Sequence, residues 1–446
     1  MNYPRYPEYK PSGVEWLGEV PGHWGMNLLK RGFDVCLGKM LQTAPASKED
    51  VEASYLRAAN IQWNGVDISD VKTMWLSPAE RKQLTLLPGD LLVSEGGDVG
   101  RSSVWKGELA ECYFQNSVNR VRAHGDNSTR FLFYWLSAIK EGGYIDVVCN
   151  KSTIAHFTAE KVAAAPVPFP TPAEQRAIAT FLDRETARID ALIEKKRRFI
   201  ELLQEKRAAL ISRAVTRGLD PNVPLKDSGV EWLGQVSVSW KVLKLKHLLV
   251  MSLTNGLFKK RDEFGKGVRL VNVFDIYSPT YHVNFEKLER VTATKSEGQS
   301  FDVQEGDLFF VRSSLKLEGI GASALAKNLG EPAVFECHLV RARPNRSRIF
   351  PRFLSYYLNA RRIRGRIISL AETTTMTTIA QDRLSSLEIC VPELNEQKAI
   401  ADHLDQVALR LETLSAKVES AIERLKEYRA ALIAAAVTGK VDVRAA

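Results

Sequence analysis

Two loops in the sequence combine small residues with basic and hydroxyl side chains. They cover 94–101 and 312–316, and each follows an apolar, strand-like run. Small residues let the backbone approach a ligand closely, basic side chains pair with phosphates, and hydroxyl, amide and imidazole groups bond base edges. The two loops therefore suit a nucleic-acid ligand, and for each loop taken singly an ordinary solvated turn is the alternative.

Three further segments carry similar chemistry. Residues 151–157 hold a lysine, two hydroxyls and a histidine, and they align with the hydroxyl-rich run 373–379. Residues 361–366 hold four arginines, for which a solvated helix face is the alternative. Hydroxyls, lysine, arginine and histidine can contact phosphates or base edges, so these segments also suit nucleic acid.

Sequence motifs of familiar catalysts are missing. There is no Gly-x-x-x-x-Gly-Lys-[Ser/Thr] phosphate loop, no His-Glu-x-x-His and no tetrapeptide resembling that of adenine methyltransferases. The run 319–324 lacks the third glycine of a dinucleotide loop, and Glu160-Lys161 and Glu194-Lys195 lack the upstream partners of a metal-dependent nuclease. A Ser-His-Asp arrangement stays open, because its members need not be adjacent in sequence.

Bulk composition sets wide limits. The 446 residues are 45% hydrophobic and 26% charged, which is ordinary for a soluble globular protein, and the length favours several domains. No apolar run is long enough for a membrane span and no secretory signal is visible, so a cytoplasmic location is expected. The five cysteines are widely spaced and odd in number, which predicts buried free thiols.

The net charge of +9 permits a polyanionic partner. The excess of lysine and arginine lies within 171–392, whereas 1–170 and 393–446 are close to neutral.

An internal duplication organises the chain. Ser-Gly-Val-Glu-Trp-Leu-Gly occurs at 12–18 and again at 228–234, with a tryptophan following at the same spacing. Residues 174–216 match 396–438 at a constant offset of 222 with about half of the positions identical. The middle of each half has diverged, although Gly89-Asp90-Leu91 still echoes Gly306-Asp307-Leu308. Duplication for structural symmetry alone is the alternative to two related functional domains.

Two long helices are predicted at 173–216 and 393–438, each after a proline and before a glycine. Forty-odd residues make a rod of ~60 Å. The 3–4 spacing of apolar residues predicts a coiled-coil seam, interrupted in the first helix by Glu185, Lys196 and Lys206. The seam residues are Ile178, Leu182, Ile189, Leu192, Leu203 and Leu210 in the first helix, and Ile400, Leu404, Leu411, Leu414, Val418, Leu425 and Leu432 in the second.

The two helices are expected to pair within one chain, because each half supplies one. A pseudo-two-fold relation between the halves makes them antiparallel, and pairing between chains is the alternative. The regions ~20–170 and ~236–391 mix strand-like runs such as 90–94, 118–122, 307–311 and 338–343 with short helices at 129–140 and 351–363. The fold class is therefore α+β, with two globular domains joined by two long antiparallel helices.

The whole chain resembles the specificity subunits of type I restriction–modification systems. The repeated Ser-Gly-Val-Glu-Trp-Leu-Gly resembles the start of each target-recognition domain, and Glu-Gln-x-Ala-Ile-Ala-x-x-Leu-Asp at 174–183, nearly repeated at 396–405, resembles the start of the spacer helices. One departure is Val-Ser-Val-Ser at 236–239 in place of Val-Pro-Gly-His at 20–23, which we expect to change only a local loop.

The resemblance implies a division of labour. Target-recognition domains at 1–170 and 219–391 would each read one half of a split, asymmetric DNA target, and spacer helices at 171–218 and 392–446 would hold them apart. The helices would carry two methyltransferase subunits, and motor-nuclease subunits would join through these. This chain would hold no catalytic, cofactor or metal site, since S-adenosylmethionine and ATP belong to the partners and the adenine would be flipped into the methyltransferase.

Contact residues are assigned on the same basis. Phosphate contacts are expected from Arg101, Arg120, Lys151, Arg312, Lys316, Arg361, Arg362, Arg364 and Arg366. Base or groove contacts are expected from Ser94, Asn116, Asn119, Thr153, His156, Ser313, His338, Thr374 and Thr375. The rival interpretations are a protein-binding scaffold, which would show no salt-dependent DNA affinity, and a nuclease with an unrecognised site.

Overall fold

The computed structural model describes residues 3–149, 155–373 and 377–444. Strands and helices are mixed in both halves of the chain, which confirms the α+β class. The strands are β1 (Tyr9–Pro11), β2 (Glu19–Pro21), β3 (Gly25–Leu28), β4 (Phe33–Leu37), β5 (Val51–Leu56), β6 (Ile61–Gln62), β7 (Gly65–Val66), β8 (Lys72–Leu76), β9 (Leu91–Ser94), β10 (Ser102–Val104), β11 (Tyr113–Phe114), β12 (Val118–Ala123), β13 (Pro166–Phe169), β14 (Leu225–Asp227), β15 (Gln235–Ser237), β16 (Lys241–Lys244), β17 (Thr254–Asn255), β18 (Phe264–Val271), β19 (Glu289–Val291), β20 (Leu308–Val311), β21 (Ser313–Ser314), β22 (Ser323–Leu325), β23 (Ala333–Phe335), β24 (Leu339–Ala342), β25 (Glu372–Thr373), β26 (Thr377–Thr378) and β27 (Glu388–Val391). The helices are α1 (Pro78–Leu84), α2 (Thr129–Glu141), α3 (Tyr144–Val148), α4 (Ala159–Ala164), α5 (Pro172–Arg217), α6 (Val273–Ile276), α7 (Lys295–Ser300), α8 (Pro351–Asn359), α9 (Arg361–Ser369), α10 (Gln381–Ser385) and α11 (Leu394–Val437).

The chain divides into two compact units. The first unit is Met1–Lys196 with Glu419–Ala446, and the second unit is Arg197–Val418. Each unit therefore contains one globular region together with part of both long helices. Among the described residues, no helix is long and apolar enough to cross a bilayer.

The globular region of the first unit is built on two small sheets. One is antiparallel in the order β10-β9-β12-β4, and the other has the order β11-β5-β8 with β11 and β5 parallel. Helix α2 packs on the first sheet and buries Phe131, Leu132, Trp135 and Leu136. Ser128 caps this helix by accepting a hydrogen bond from the N–H of Phe131 (3.1 Å).

The second unit repeats this topology. Its sheets have the orders β17-β24-β20-β22 and β19-β18-β23, with β18 and β23 parallel, and β16 pairs with β27 as β3 pairs with β13 in the first unit. The predicted helix 351–363 is instead two helices, because Ala360 is extended (ψ 136°) and separates α8 from α9. The strand and helix positions otherwise match the sequence expectation to within one or two residues.

A buried carboxylate in each unit explains one of the repeated sequence motifs. Asp90 accepts two hydrogen bonds from Arg122 (2.6 and 2.7 Å), and Asp307 accepts two from Arg343 (both 2.8 Å). Both aspartates are almost fully buried, so each pair holds the turn before a central strand to the neighbouring strand.

The Glu-Gln motif at the start of each long helix also has a structural role. Gln175 accepts a hydrogen bond from the N–H of Ser128 (2.8 Å) and donates to the carbonyl of Pro170 (3.1 Å). Gln397 makes the same pair of contacts with Phe350 (2.6 Å) and Pro392 (2.9 Å). The repeated residues thus fasten each globular region to its helix.

The long helices pair within the chain, and their pairing is antiparallel. Asp190 contacts Arg429 (3.0 Å) in the first unit, and Arg207 contacts Glu412 (3.5 Å) in the second. Within the second unit, Gly218 at the end of α5 lies beside Glu396 at the start of α11, so residues later in α5 lie against residues earlier in α11. The helices end at Gly218 (φ 84°) and Gly439 (φ 73°), where a left-handed residue stops each helix.

Most predicted seam positions are buried or half-buried, but two are not. Leu192 is 43% exposed and Leu414 is 39% exposed, whereas Ile193 and Ile422 are buried instead. An α-helix has 3.6 residues per turn, so a strict 3.5-residue pattern drifts by ~20° per heptad and the buried positions shift by one residue. Of the five free cysteines, Cys112, Cys149 and Cys390 are buried, and Cys36 and Cys337 are only half-buried.

Candidate functional site

Five loops of the first unit lie together at one end of its strands. The N–H of Glu95 donates to the carbonyl of Ser117 (2.9 Å), and the N–H of Phe157 donates to the carbonyl of Glu95 (2.9 Å). The loop after β9 is therefore held between two others. We name the whole set the first loop face; it comprises 38–42, 57–60, 94–101, 115–117 and 155–157.

Hydrogen bonds also hold two more loops of the first loop face in place. The N–H of Asn116 donates to the carbonyl of Lys39 (2.9 Å), and the N–H of Ala58 donates to the hydroxyl of Ser117 (3.1 Å). Arg101 donates to the carbonyl of Ala58 (3.0 Å). Backbone and side-chain hydrogen bonds thus fix these loops relative to one another.

The second unit builds the same arrangement from different residues. The N–H of Arg312 donates to the carbonyl of His338 (2.9 Å), and the N–H of Ile379 donates to the carbonyl of Arg312 (3.0 Å). These two bonds correspond to those made by Glu95. We name this set the second loop face; it comprises 256–260, 272–277, 312–319, 336–338 and 377–381.

Glu336 lies at the centre of the second loop face. Its N–H donates to the carbonyl of Val271 (3.1 Å), and its carboxylate accepts a hydrogen bond from the N–H of Val273 (3.2 Å). The N–H of Leu257 donates to the carbonyl of the preceding residue, Phe335 (2.9 Å). One short loop therefore positions the segments on both sides of it.

A glycine at the same place in both units allows the loops to come this close. A Cβ on Gly38 would meet the carbonyl oxygen of Gln115, and a Cβ on Gly256 would meet that of Glu336. A side chain at either position would push its loop away from the strand end.

Three of the predicted contact residues in the first unit are buried. Ser94 and Asn119 have no exposed surface, and Asn119 donates to the carbonyl of Phe157 (2.9 Å). Arg120 is 4% exposed and donates to the carbonyl of Gln83 (2.8 Å). Strand residues that alternate between two faces carry no sign in the sequence of which face is covered, and here Asn119 braces the loop at Phe157 from inside whereas Ser94 and Arg120 are covered in the interior.

The structure brings Asn116, His156 and Arg101 together on the first loop face. His156 is half-exposed, with its imidazole 3.9 Å from the carboxylate of Glu95. Burial raises the pKa of the Glu95 carboxyl, and His156 opposes that shift. Arg101 is mostly covered and pairs with Asp98 (3.8 Å), so it supports the loop as well as adding charge.

On the second loop face, Arg312, Ser313, Lys316 and His338 lie on loops joined by the bonds described above. Lys316 and His338 are exposed, and Arg312 and Ser313 are half-buried. Among the described residues no carboxylate pairs with Arg312 or Lys316. Their positive charges are therefore available to an anion.

The arginine run splits between surface and interior. Arg361 and Arg362 are exposed on α9. Arg364 donates to the carbonyls of Glu318 (2.9 Å) and Ile320 (2.8 Å), and burial lowers its pKa to about 10. Arg366 lies over the ring of Trp232. Arg364 thus holds the loop after β21 against the helix and Arg366 packs on the repeated motif 228–234, which leaves Arg361 and Arg362 for an outside ligand.

Four predicted contact residues lie outside the described residues, namely Lys151, Thr153, Thr374 and Thr375. Residues that the sequence reasoning missed include Lys39 and Glu95 on the first loop face, and Glu336, Phe258 and Phe274 on the second. Gly38 precedes Lys39, and both Gly38 and its counterpart Gly256 follow a strand-like run. This repeated glycine was the signal in the sequence that could have pointed to Lys39.

One group of side chains in the described residues has metal-ligand chemistry. Potential ligand atoms of Glu336, Cys337 and His338 lie within 4.8 Å of one another. The Glu336 carboxylate already accepts the N–H of Val273, and burial raises the pKa of the Cys337 thiol, which disfavours the thiolate that metals bind. We therefore assign no metal to this loop.

Comparison with known proteins identifies the family. A sequence profile described as "Type I restriction modification DNA specificity domain" matches residues 33–202 and 238–424, once in each half of the chain. The chain belongs to this family of specificity subunits. It supplies DNA sequence specificity to a type I restriction–modification system, and it is the recognition component rather than the catalytic one.

Individual relatives agree with the profile. The specificity subunit is 24% identical over 399 residues to the StySPI specificity subunit of Salmonella potsdam and 25% identical over 394 residues to the EcoKI specificity subunit of Escherichia coli (strain K12). Each alignment covers 87% of this chain and 82% of the relative. DNA and methyltransferase and restriction subunits are thus the partners that the family implies.

Solved structures share the fold. A chain from a study of complex assembly and conformational transition of the type I R-M system superposes with a TM-score of 0.71 at 15% identity, covering 95% of the specificity subunit and 99% of that chain. The HsdS subunit from Thermoanaerobacter tengcongensis gives a TM-score of 0.57 at 17% identity, covering 95% and 98%.

Proposed function

We propose that the two loop faces each read one half of a split, asymmetric DNA target. This proposal rests on one observation: the two units make the same backbone hydrogen bonds at these loops but carry different side chains there. Glu95 in the first unit and Arg312 in the second make corresponding backbone bonds to the same two neighbouring loops. A shared scaffold with different groups suits one docking geometry applied to two sequences.

The contact residues that we propose follow from exposure. Asn116 and His156 on the first loop face, and Ser313 and His338 on the second, have the donors and acceptors needed for base edges. Arg312 and Lys316 would pair with phosphates, with Arg361 and Arg362 at the flank. Lys151, Thr153, Thr374 and Thr375 are still proposed as DNA contacts. Ser94, Asn119 and Arg120 are buried and are no longer proposed.

The helix pair is proposed to set the distance between the half-sites. We keep the division into recognition domains at 1–170 and 219–391 and spacer helices at 171–218 and 392–446. At 1.5 Å per residue the 46 residues of α5 make a rod of ~69 Å, about two turns of duplex DNA. A stiff rod of fixed length fits a target whose halves are separated by a fixed number of base pairs.

The same helices are proposed to bind two methyltransferase subunits, one on each unit. In the second unit Phe199, Leu202 and Leu414 are 39–46% exposed, and in the first unit Leu192 and Tyr428 are 43% and 39% exposed. Exposed apolar side chains at helical spacing beside a seam suit a partner helix. Motor-nuclease subunits would join through the methyltransferases, and the whole complex would act in the cytoplasm.

Genome-wide mapping of adenine methylation, with and without the gene for this chain, tests the proposal. We expect one asymmetric split motif to lose methylation on both strands when the chain is absent. If methylation is unchanged, co-purification with the methyltransferase distinguishes a silent restriction–modification system from a protein scaffold. A complex that forms yet shows no salt-dependent affinity for duplex DNA would mean that the chain is a protein scaffold.

A further inference from the structure

Large apolar side chains project from the second loop face. Phe274 is 87% exposed, Leu315 is 85% exposed and Phe258 is 74% exposed. Burying such a side chain is worth ~1.5–3 kcal/mol, so leaving three of them in water on neighbouring loops is unfavourable for the free chain. Their exposure indicates a surface that is covered in the working complex.

The three side chains stand on rigid supports. Phe258 follows Leu257, whose N–H donates to Phe335, and Phe274 follows Val273, whose N–H donates to Glu336. Phe258 and Phe274 therefore flank a single short loop.

Leu315 belongs to the neighbouring loop. The hydroxyl of Ser314 donates to the carbonyl of Lys316 (2.7 Å), and the N–H of Lys316 donates back to the same hydroxyl (3.2 Å), which closes the turn around Leu315. A Cβ on Gly319 would lie 2.6 Å from the hydroxyls of both Ser314 and Tyr277, so α6 and this loop are adjacent.

Charge around the apolar group favours DNA as the occupant. Lys260, Arg261 and Lys316 are exposed beside Phe258 and Leu315, and within the described part of the chain none of them pairs with a carboxylate. Apolar side chains with free cations beside them match the bases and the phosphates of DNA. The first loop face has Met40 at the position of Phe258, 75% exposed, and there Lys39 is paired with Glu80 (2.5 Å).

We propose that Phe258 and Phe274 wedge into the base stack of the second half-site, with Leu315 packing beside them. Apolar wedges of this kind partly unstack a base step and kink the duplex. Pyrimidine–purine steps cost least to open, so the second half-site should contain one where the wedge enters. This inference rests on the proposed function and adds a way of reading sequence that needs no hydrogen bond.

The test uses the complex of the full chain with its methyltransferase subunits. The probe is a duplex carrying the motif found by methylation mapping, with 2-aminopurine placed in turn at positions of each half-site that do not adjoin a methylated adenine, because flipping of that adenine raises the fluorescence by itself. We expect complex formation to raise the fluorescence several-fold in the second half-site only. The double variant F258A/F274A should abolish that rise and lower affinity at least tenfold, with the dependence of affinity on salt unchanged.

Controls separate the wedge from other effects. V250A removes another exposed apolar side chain of the same unit, outside the loop face, and should leave fluorescence and affinity unchanged. Because both phenylalanines are exposed, the double variant should melt at the wild-type temperature. Wild-type binding without any fluorescence rise overturns the wedge and leaves the proposed function standing. Loss of methyltransferase from the double variant also overturns it, since a protein then covers the patch. A wild-type complex that ignores the motif overturns both proposals.

Discussion

Arg312 and Glu95, its counterpart in the first unit, make corresponding backbone bonds but carry opposite charges. The guanidinium of Arg312 has no carboxylate partner in the part of the chain that the structure describes. We expect Arg312→Ala to weaken binding to all DNA sequences alike and to lower the slope of log affinity against log salt by about one. Titrations of the methyltransferase complex at several salt concentrations measure both.

The control for Arg312 is Lys287→Ala, which removes an exposed cation away from the second loop face. Its affinity and salt slope should match the wild type. If Arg312→Ala instead changes the preferred bases at one position while the slope stays constant, the side chain reads a base and not a phosphate.

Asp307 tests the internal bracing of the second unit. Asp307→Asn removes the charge that Arg343 contacts through two hydrogen bonds, at a site that is 1% exposed. Asp302 still contacts Arg343 (3.1 Å), so we expect a loss of about 2–3 kcal/mol and a melting temperature lower by roughly 5–10 °C. Thermal unfolding should show no such change for Asp262→Asn, an exposed carboxylate of the same unit.

Single side chains were the hardest level to predict from the sequence. A serine, asparagine or arginine in a strand alternates between faces, and nothing in its type shows that Ser94, Asn119 and Arg120 point inward. Phenylalanines are usually core residues, so Phe258 and Phe274 gave no sign of lying on the surface. Only the folded structure shows which of these side chains are buried and which are exposed.

At the scale of elements, Gly256 decides how closely two segments of the second unit approach. Gly256→Ala places a methyl group against the carbonyls of Phe335 and Glu336, which are backbone atoms that cannot turn aside. We expect a lower melting temperature and weaker DNA binding together. Gly298→Ala is the matched control, since it lies within α7 with open space around it and should raise stability by about 0.5–1 kcal/mol.

Two neighbouring leucines of α5 allow the two proposed roles of the helices, pairing with each other and binding methyltransferase, to be tested separately. Leu203 is 7% exposed and Leu202 is 46% exposed. Leu203→Ala should cost about 2–3 kcal/mol through the cavity it leaves. Leu202→Ala should unfold within about 0.5 kcal/mol of the wild type yet bind methyltransferase more weakly. Equal melting temperatures for the two variants would contradict the seam that we describe.

Elements were more predictable than residues because their signals are local. Prolines before and glycines after each long helix gave its ends within one or two residues, and Gly218 and Gly439 do adopt the left-handed conformation. The break at Ala360 was missed, because alanine is a strong helix former and the break depends on packing around it. Leu192 and Leu414 were misplaced because a 3.5-residue pattern drifts on a 3.6-residue helix.

For the whole molecule, the duplication carried most of the information. Matching segments at an offset of 222 predicted two similar folds, and equivalent sheets occur in both units. The loops 94–101 and 312–316 were predicted as ligand-binding segments, but their neighbours on the loop faces, 38–42 and 256–260, were not, because these sequences diverged while their backbone bonds stayed the same. The two halves therefore share a framework of strands and helices, and they differ mainly at the two loop faces that we assign to DNA.

That separation leads to a prediction about spacing. Removing one heptad from each long helix at equivalent positions, 185–191 and 407–413, which contain none of the proposed methyltransferase contacts, keeps the seam nearly in phase and shortens each rod by ~10.5 Å. If helix length sets the distance between half-sites, methylation mapping should show the same two half-site sequences with about three fewer base pairs between them. Removing only 185–191 leaves seven residues of α11 without a partner, and this control should lose methylation altogether. An unchanged spacer in the double deletion, with methylation retained, would mean that the methyltransferase subunits rather than the helices fix the distance.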